Sequence, residues 1–156
     1  MNTNPKFVYS TLIATTPEKL WAALTDPEFT AQYWGGTRLE SDWTAGSRIV
    51  FRWQGKIVHD DTILKCEPPR LLSYTFHPLH MEELRSEPPS RVTFEIEEFK
   101  GQSTRQGPVV KLTVTHEDFP ADSKIFPMIS NGWPDILSSL KTLLETGRAI
   151  EFAKGT

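Results

Sequence analysis

The sequence predicts an α+β fold: a curved antiparallel sheet of six to seven strands around a long C-terminal helix, with two short helices after the first strand. Three observations carry this reading. About six segments between residues 38 and 117 mix apolar and polar side chains in alternation and succeed one another across short turns, as in an antiparallel sheet covered on one face. Residues 133–146 place Trp133, Ile136, Leu137, Leu140, Leu143 and Leu144 at helical spacing, an apolar stripe that must press on a surface. The length of 156 residues suits one domain, 1–156. A chain of that size buries roughly 70% of its unfolded surface and builds a core without staples.

The elements follow in order. Residues 7–13 form the first strand. Thr16 is placed to cap the next helix, Pro17 takes its first position, and Leu20, Trp21 and Leu24 form its buried stripe. Asp26-Pro27 ends that helix, and PEFTAQYWGG makes a second, closed by Gly35-Gly36. A short strand at 38–42 precedes 47–53, where Ile49, Phe51 and Trp53 share a face. Gln54-Gly55 turns the chain into a long strand, 56–67, broken by Pro68-Pro69. Strand 71–77 aligns Leu72, Tyr74 and Phe76. Residues 78–90 read as a loop with one helical turn, near the mouth of any cavity. Strand 91–99 aligns Val92, Phe94 and Ile96. The polar turn KGQSTRQGP at 100–108 leads to strand 109–117, which aligns Val110, Leu112, Val114 and His116. A short helical segment falls within 120–130. In the last helix Pro134 fits the first turn, Asp135 favours the dipole, Ser138 and Ser139 fall on the wet side, and Gly147 ends the run.

Composition excludes several classes. The net charge is −3 and the 17 basic residues are scattered, which argues against nucleic acid. No apolar run approaches the ~18 residues that would span a membrane. MNTNPKFVYS lacks the charged-then-apolar pattern of a signal peptide, and one cysteine, Cys66, permits no internal disulfide; both fit a cytoplasmic protein. There is no phosphate loop, dinucleotide fingerprint or zinc motif, so neither cofactor nor metal is expected. His59 and Asp61 of the HDD run share one strand face, but one histidine and one carboxylate fall short of a closed metal site. His77 and His80 flank Pro78 in the loop, where their spacing has no helical meaning. Glu95, Glu97 and Glu98 read as a solvated face, and Ser138 and Ser139 have no basic partner.

The segments TTPEKLWAALTDPE (15–28), YWGG (33–36), CEPPRLLSYTF (66–76), RVTFEIEE (91–98), LTVTHEDF (112–119) and GWPDILSSLKTLLETG (132–147) cover most of the chain. In this order they resemble the helix-grip fold of the START-like (SRPBCC) superfamily, shared with the birch-pollen allergen and polyketide cyclases. Within it they are most similar to bacterial proteins like the C-terminal domain of the activator of Hsp90 ATPase. The resemblance implies a cavity between the sheet and the long helix. It also implies three kinds of activity found in such domains: binding of apolar ligands, enzymatic chemistry, and partnership with a chaperone in the stress response.

With no assembled catalytic set, the expected function is binding of a small apolar or amphipathic ligand, as a monomer or homodimer. The alternatives are a chaperone-associated interaction module and a cofactor-free cyclase or hydrolase that uses His116. The expected cavity-lining residues are Trp34, Trp53, Tyr74, Phe76, Phe94, His116, Trp133, Leu137 and Leu140. His116 shares a strand face with Leu112 and Val114. It is either the cavity's polar partner or a core histidine bonded to the backbone. Trp133 opens the helix stripe and is expected at one end of the groove, apolar within and wet at its N–H.

Overall fold

The computed structural model describes residues 4–99 and 107–152. In chain order the elements are β1 (Phe7–Ile13), α1 (Pro17–Thr25), α2 (Pro27–Tyr33), β2 (Arg38–Ser41), β3 (Arg48–Trp53), β4 (Lys56–Glu67), β5 (Leu71–Phe76), α3 (Glu82–Arg85), β6 (Ser90–Glu98), β7 (Val110–Glu117) and α4 (Ile125–Thr146). The strands form one seven-stranded sheet in the order β1-β7-β6-β5-β4-β3-β2, antiparallel throughout. The expected fold is therefore present: a curved sheet around a long C-terminal helix, with two short helices after the first strand. Most of the turn expected at 100–108 lies outside the described residues.

Local chemistry accounts for the junctions. Thr16 Oγ1 accepts the Lys19 N–H at 3.2 Å and caps α1. Asp26 closes α1 and caps α2, its Oδ1 accepting the Glu28 N–H at 2.9 Å, so one residue turns the chain between two helices that each begin with proline. Gln54 and Gly55 both have positive φ, 51° and 80°, the pair of values that a tight β3–β4 hairpin requires. The register of β3 and β4 shifts between Phe51 and Arg52. Past this irregularity Trp53 is 45% exposed, whereas Ile49 and Phe51 are buried.

The core lies between the inner face of the sheet and α4. Leu72, Tyr74, Phe94, Ile96, Leu112 and Val114 meet Trp133, Leu137, Leu140 and Leu143 there. Each such side chain contributes roughly 1.5–3 kcal/mol through burial. At its far end α4 is tied to β1. Lys141 Nζ donates to the Leu12 carbonyl at 2.7 Å and pairs with Glu145 at 2.7 Å, and Glu145 accepts the Ala14 N–H at 2.8 Å.

Two expectations for α4 are corrected. The helix begins at Ile125, so Pro134 stands inside it and not in its first turn. A proline there cannot donate to the carbonyl of Ser130, four residues back. The early start is possible because the first N–H groups find acceptors. Glu87, far away in sequence, accepts the Lys124 and Ile125 N–H groups at 3.0 and 3.4 Å, and also takes the Ser123 hydroxyl. Ser123 Oγ in turn accepts the Phe126 N–H at 3.0 Å. Ser139, expected on the wet side, is fully buried. The chain after the helix folds back, and Ser139 Oγ accepts the Ile150 N–H at 3.1 Å. The cover comes from residues beyond the helix, which its periodicity cannot reveal.

Candidate functional site

A cavity of about 130 Å³ opens between the sheet and the N-terminal half of α4. Its sheet wall is Phe51 of β3, His59 of β4 and Phe76 of β5. Its helix wall includes Ile129, Gly132, Trp133 and Ile136. Trp34, just after α2, and Pro78 and His80, just after β5, complete the lining. A wider groove of about 380 Å³ adjoins it and shares Trp34, Phe51, His59 and His80, with Trp53, Val58 and Thr37 as its own walls. His59 and His80 thus stand where the two spaces meet.

The walls are built from rings in edge-to-face and stacked contact. Trp34 lies 5.5 Å from Phe51 and 5.4 Å from Trp133, both edge-on. The His59 imidazole lies 4.4 Å from both Phe51 and Phe76. Such packing fixes the ring planes and leaves the space between them apolar.

Of the residues expected to line a cavity, Trp34, Phe76 and Trp133 face the smaller space, and Trp34 and Trp53 face the wider one. Trp53 is held at its rim by an N–H bond to the Gly35 carbonyl at 3.1 Å. Tyr74, Phe94, Leu137 and Leu140 pack in the core behind these walls. His116 is also a core residue. Trp133 Nε1–H donates to its Nδ1 at 3.0 Å, its Nε2–H donates to Ser90 Oγ at 2.7 Å, and the Ser90 hydroxyl donates to the Phe76 carbonyl at 3.3 Å. Every polar atom in this relay is used. Burial depresses the His116 pKa to about 3, with His59 a smaller contributor, so the ring is neutral at physiological pH. This arrangement corrects the expectation that the Trp133 N–H is wet: it is buried against His116.

In the sequence His59 stands out only as an incomplete metal-ligand pair with Asp61. Among the described residues no three His, Cys, Asp or Glu side chains are placed to hold one metal ion. The structure places His59 on the cavity wall, 6% exposed, with Asp61 beside it. Asp60, between them, points outward to a two-pronged pairing with Arg48 at 2.7 Å. Asp61 is held by the Thr75 hydroxyl at 2.6 Å and the His77 N–H at 3.1 Å. His59 Nδ1 lies 3.5 Å from Asp61 Oδ2, a contact longer than a formed hydrogen bond, and so is buried without a hydrogen-bond partner. Burial lowers the His59 pKa, and Asp61 opposes that shift only in part. Strand alternation already put His59 and Asp61 on one face, but not which face. Gly132 gave no signal of its own beyond its place in the NGWP stretch.

The sequence model of the family described as activator of Hsp90 ATPase homolog 1-like protein matches residues 14–145. The chain belongs to this family. Solved structures agree on the fold. A Mesorhizobium loti protein is 26% identical, with 90% of this chain and 96% of that one covered at a TM-score of 0.67. The Aha1 dimer from Colwellia psychrerythraea is 21% identical, covering 93% and 99% at 0.69. An Hsp90 activator from Plasmodium falciparum is 20% identical, covering 89% and 95% at 0.68. No curated protein matches the chain. In this member of the activator of Hsp90 ATPase homolog 1-like family, no helix among the described residues is long and apolar enough to cross a membrane.

Proposed function

We propose that this protein binds a small apolar or amphipathic molecule in the cavity between β3–β5 and α4. The observation that carries the reading is Gly132. Glycine inside a helix is destabilising by roughly 0.5–1 kcal/mol relative to alanine. Gly132 has no positive φ to justify it, and a Cβ built there meets nothing within 4 Å. Neither backbone conformation nor close packing calls for glycine at this position, yet it lines the cavity. Its missing side chain keeps the space open. Ring walls, two imidazoles at one end and a volume of about 130 Å³ suit a single aromatic ring. For comparison, an engineered apolar cavity of ~150 Å³ holds benzene. The adjoining groove leaves room for a tail.

The test is a titration of the full chain with benzene derivatives, fatty acids and anilinonaphthalene sulfonate, followed by calorimetry and by tryptophan emission. Saturable binding with quenching of Trp34 and Trp133 supports the reading. No heat and no quenching at ligand concentrations near 1 mM, about −4 kcal/mol, contradicts it.

A second reading, a chaperone-associated or self-associating module, is favoured by β1. It lies at one edge of the sheet and leaves Val8 54% and Leu12 41% exposed. Pull-down with a chaperone and measurement of oligomeric state test that reading separately.

A further inference from the structure

Resting on the ligand-binding reading, we propose that His59, oriented by Asp61, is the recognition group of the cavity, and that the ligand it takes is an aromatic ring bearing a hydroxyl, a phenol. Asp61 sets the orientation of the imidazole. Its carboxylate is buried and fixed by Thr75 and the His77 N–H, and it faces His59 Nδ1 at 3.5 Å. A carboxylate repels a lone pair and attracts an N–H, so the neutral imidazole carries its proton on Nδ1. The lone pair is then on Nε2, on the side of the ring turned away from Asp61, in a residue that lines both the cavity and the groove.

A ring nitrogen with a free lone pair on a wall of aromatic rings accepts a hydrogen bond. It selects against groups that only accept, such as a carbonyl, and against a carboxylate, which would need the imidazolium. Phe51 and Phe76 flank the imidazole at 4.4 Å and Trp34 and Trp133 close the space, so the body of the ligand meets rings. The slack in the His59–Asp61 contact has a place in this scheme. A hydroxyl donating to Nε2 raises the positive character of the ring and draws the Nδ1–H towards Asp61, so the contact closes when the site is filled. Asp61 is a positioning residue. His59 touches the ligand.

The experiment compares p-cresol, p-xylene and p-toluate by calorimetry on the full chain and on His59→Phe, which keeps a ring between Phe51 and Phe76 and removes both nitrogens. On wild type p-cresol binds about tenfold more tightly than p-xylene, the scale of one buried hydrogen bond, and p-toluate binds least. On His59→Phe the preference is lost or reversed, because the cresol hydroxyl is then buried without an acceptor. Equal binding of p-cresol and p-xylene to wild type overturns the role of His59 and leaves the cavity reading standing. Binding of none of the three overturns both. Tightest binding of p-toluate, or a cresol preference that survives in His59→Phe, also overturns the proposal. A measurement on wild type alone covers the case in which the variant does not fold. The His59 Nε2 nitrogen resonance moves upfield as p-cresol is added while its Nδ1 proton moves downfield, and no change in either contradicts the proposal.

Discussion

A neutral histidine inside a cluster of rings makes folding depend on pH. His116 has an ordinary pKa of 6.5 when unfolded and about 3 in the fold. Between these values the unfolded chain holds a proton that the folded chain does not. Its contribution is therefore complete above pH 6.5 and is lost as pH falls towards 3, by up to about 1.4 kcal/mol per pH unit. Burial of His59 acts in the same direction. Urea melts at about pH 7.5 and about pH 5 should show the loss, and His116→Gln should lower stability at the higher pH while flattening the slope. Leu140, fully buried, should cost about 2–5 kcal/mol on truncation to alanine. Ser139→Ala should cost about 1 kcal/mol, because it releases the Ile150 backbone. The same melts measure both. A neutral Ser139→Ala would mean that the chain after α4 does not dock on it.

At the scale of elements, the cap on α4 is the least local feature. Its first turn depends on Glu87, a residue of the segment between α3 and β6. Glu87→Ala should cost about 1–2 kcal/mol, through lost hydrogen bonds and lost favourable charge at a helix N-terminus. Amide exchange should quicken at 124–128 before it quickens at 137–143. Uniform quickening along α4 would mean that the whole helix, and not its first turn, depends on Glu87. This feature also marks where the sequence stops being legible. Thr16, Asp26 and Gly147 announce helix ends because their partners lie within four residues. The start at Ile125 cannot be read in that way, since its acceptor arrives from 37 and 38 residues away. Pro134 then looks like a first residue when it is an interior one.

At the scale of the molecule, strand alternation and the stripe on α4 were enough to predict a sheet gripping a helix, because both report which face meets the core. They report less about the cavity. Periodicity marks side chains as inward, and inward residues include those that fill space and those that border it. Tyr74, Phe94, Leu137 and Leu140 fill; Trp34, Phe76 and Trp133 border. His116 and His59 each lie on an inward face, yet one is consumed by Trp133 and Ser90 and the other keeps a nitrogen unpaired. Only the partners distinguish them, and these come from other strands and from α4.

Gly132 tests the central claim most directly, since it lines the cavity and a Cβ built on it meets nothing. Gly132→Ala should stabilise the fold by about 0.5–1 kcal/mol, as expected for glycine replaced within a helix. Gly132→Leu should project into the cavity without meeting backbone. Calorimetric titration of p-cresol into wild type and Gly132→Leu, with a thermal melt of each, is the measurement. Binding to wild type that disappears in Gly132→Leu, with no fall in melting temperature, is the predicted result. Unchanged p-cresol affinity in a folded Gly132→Leu would contradict the account, because the ligand would then be bound elsewhere.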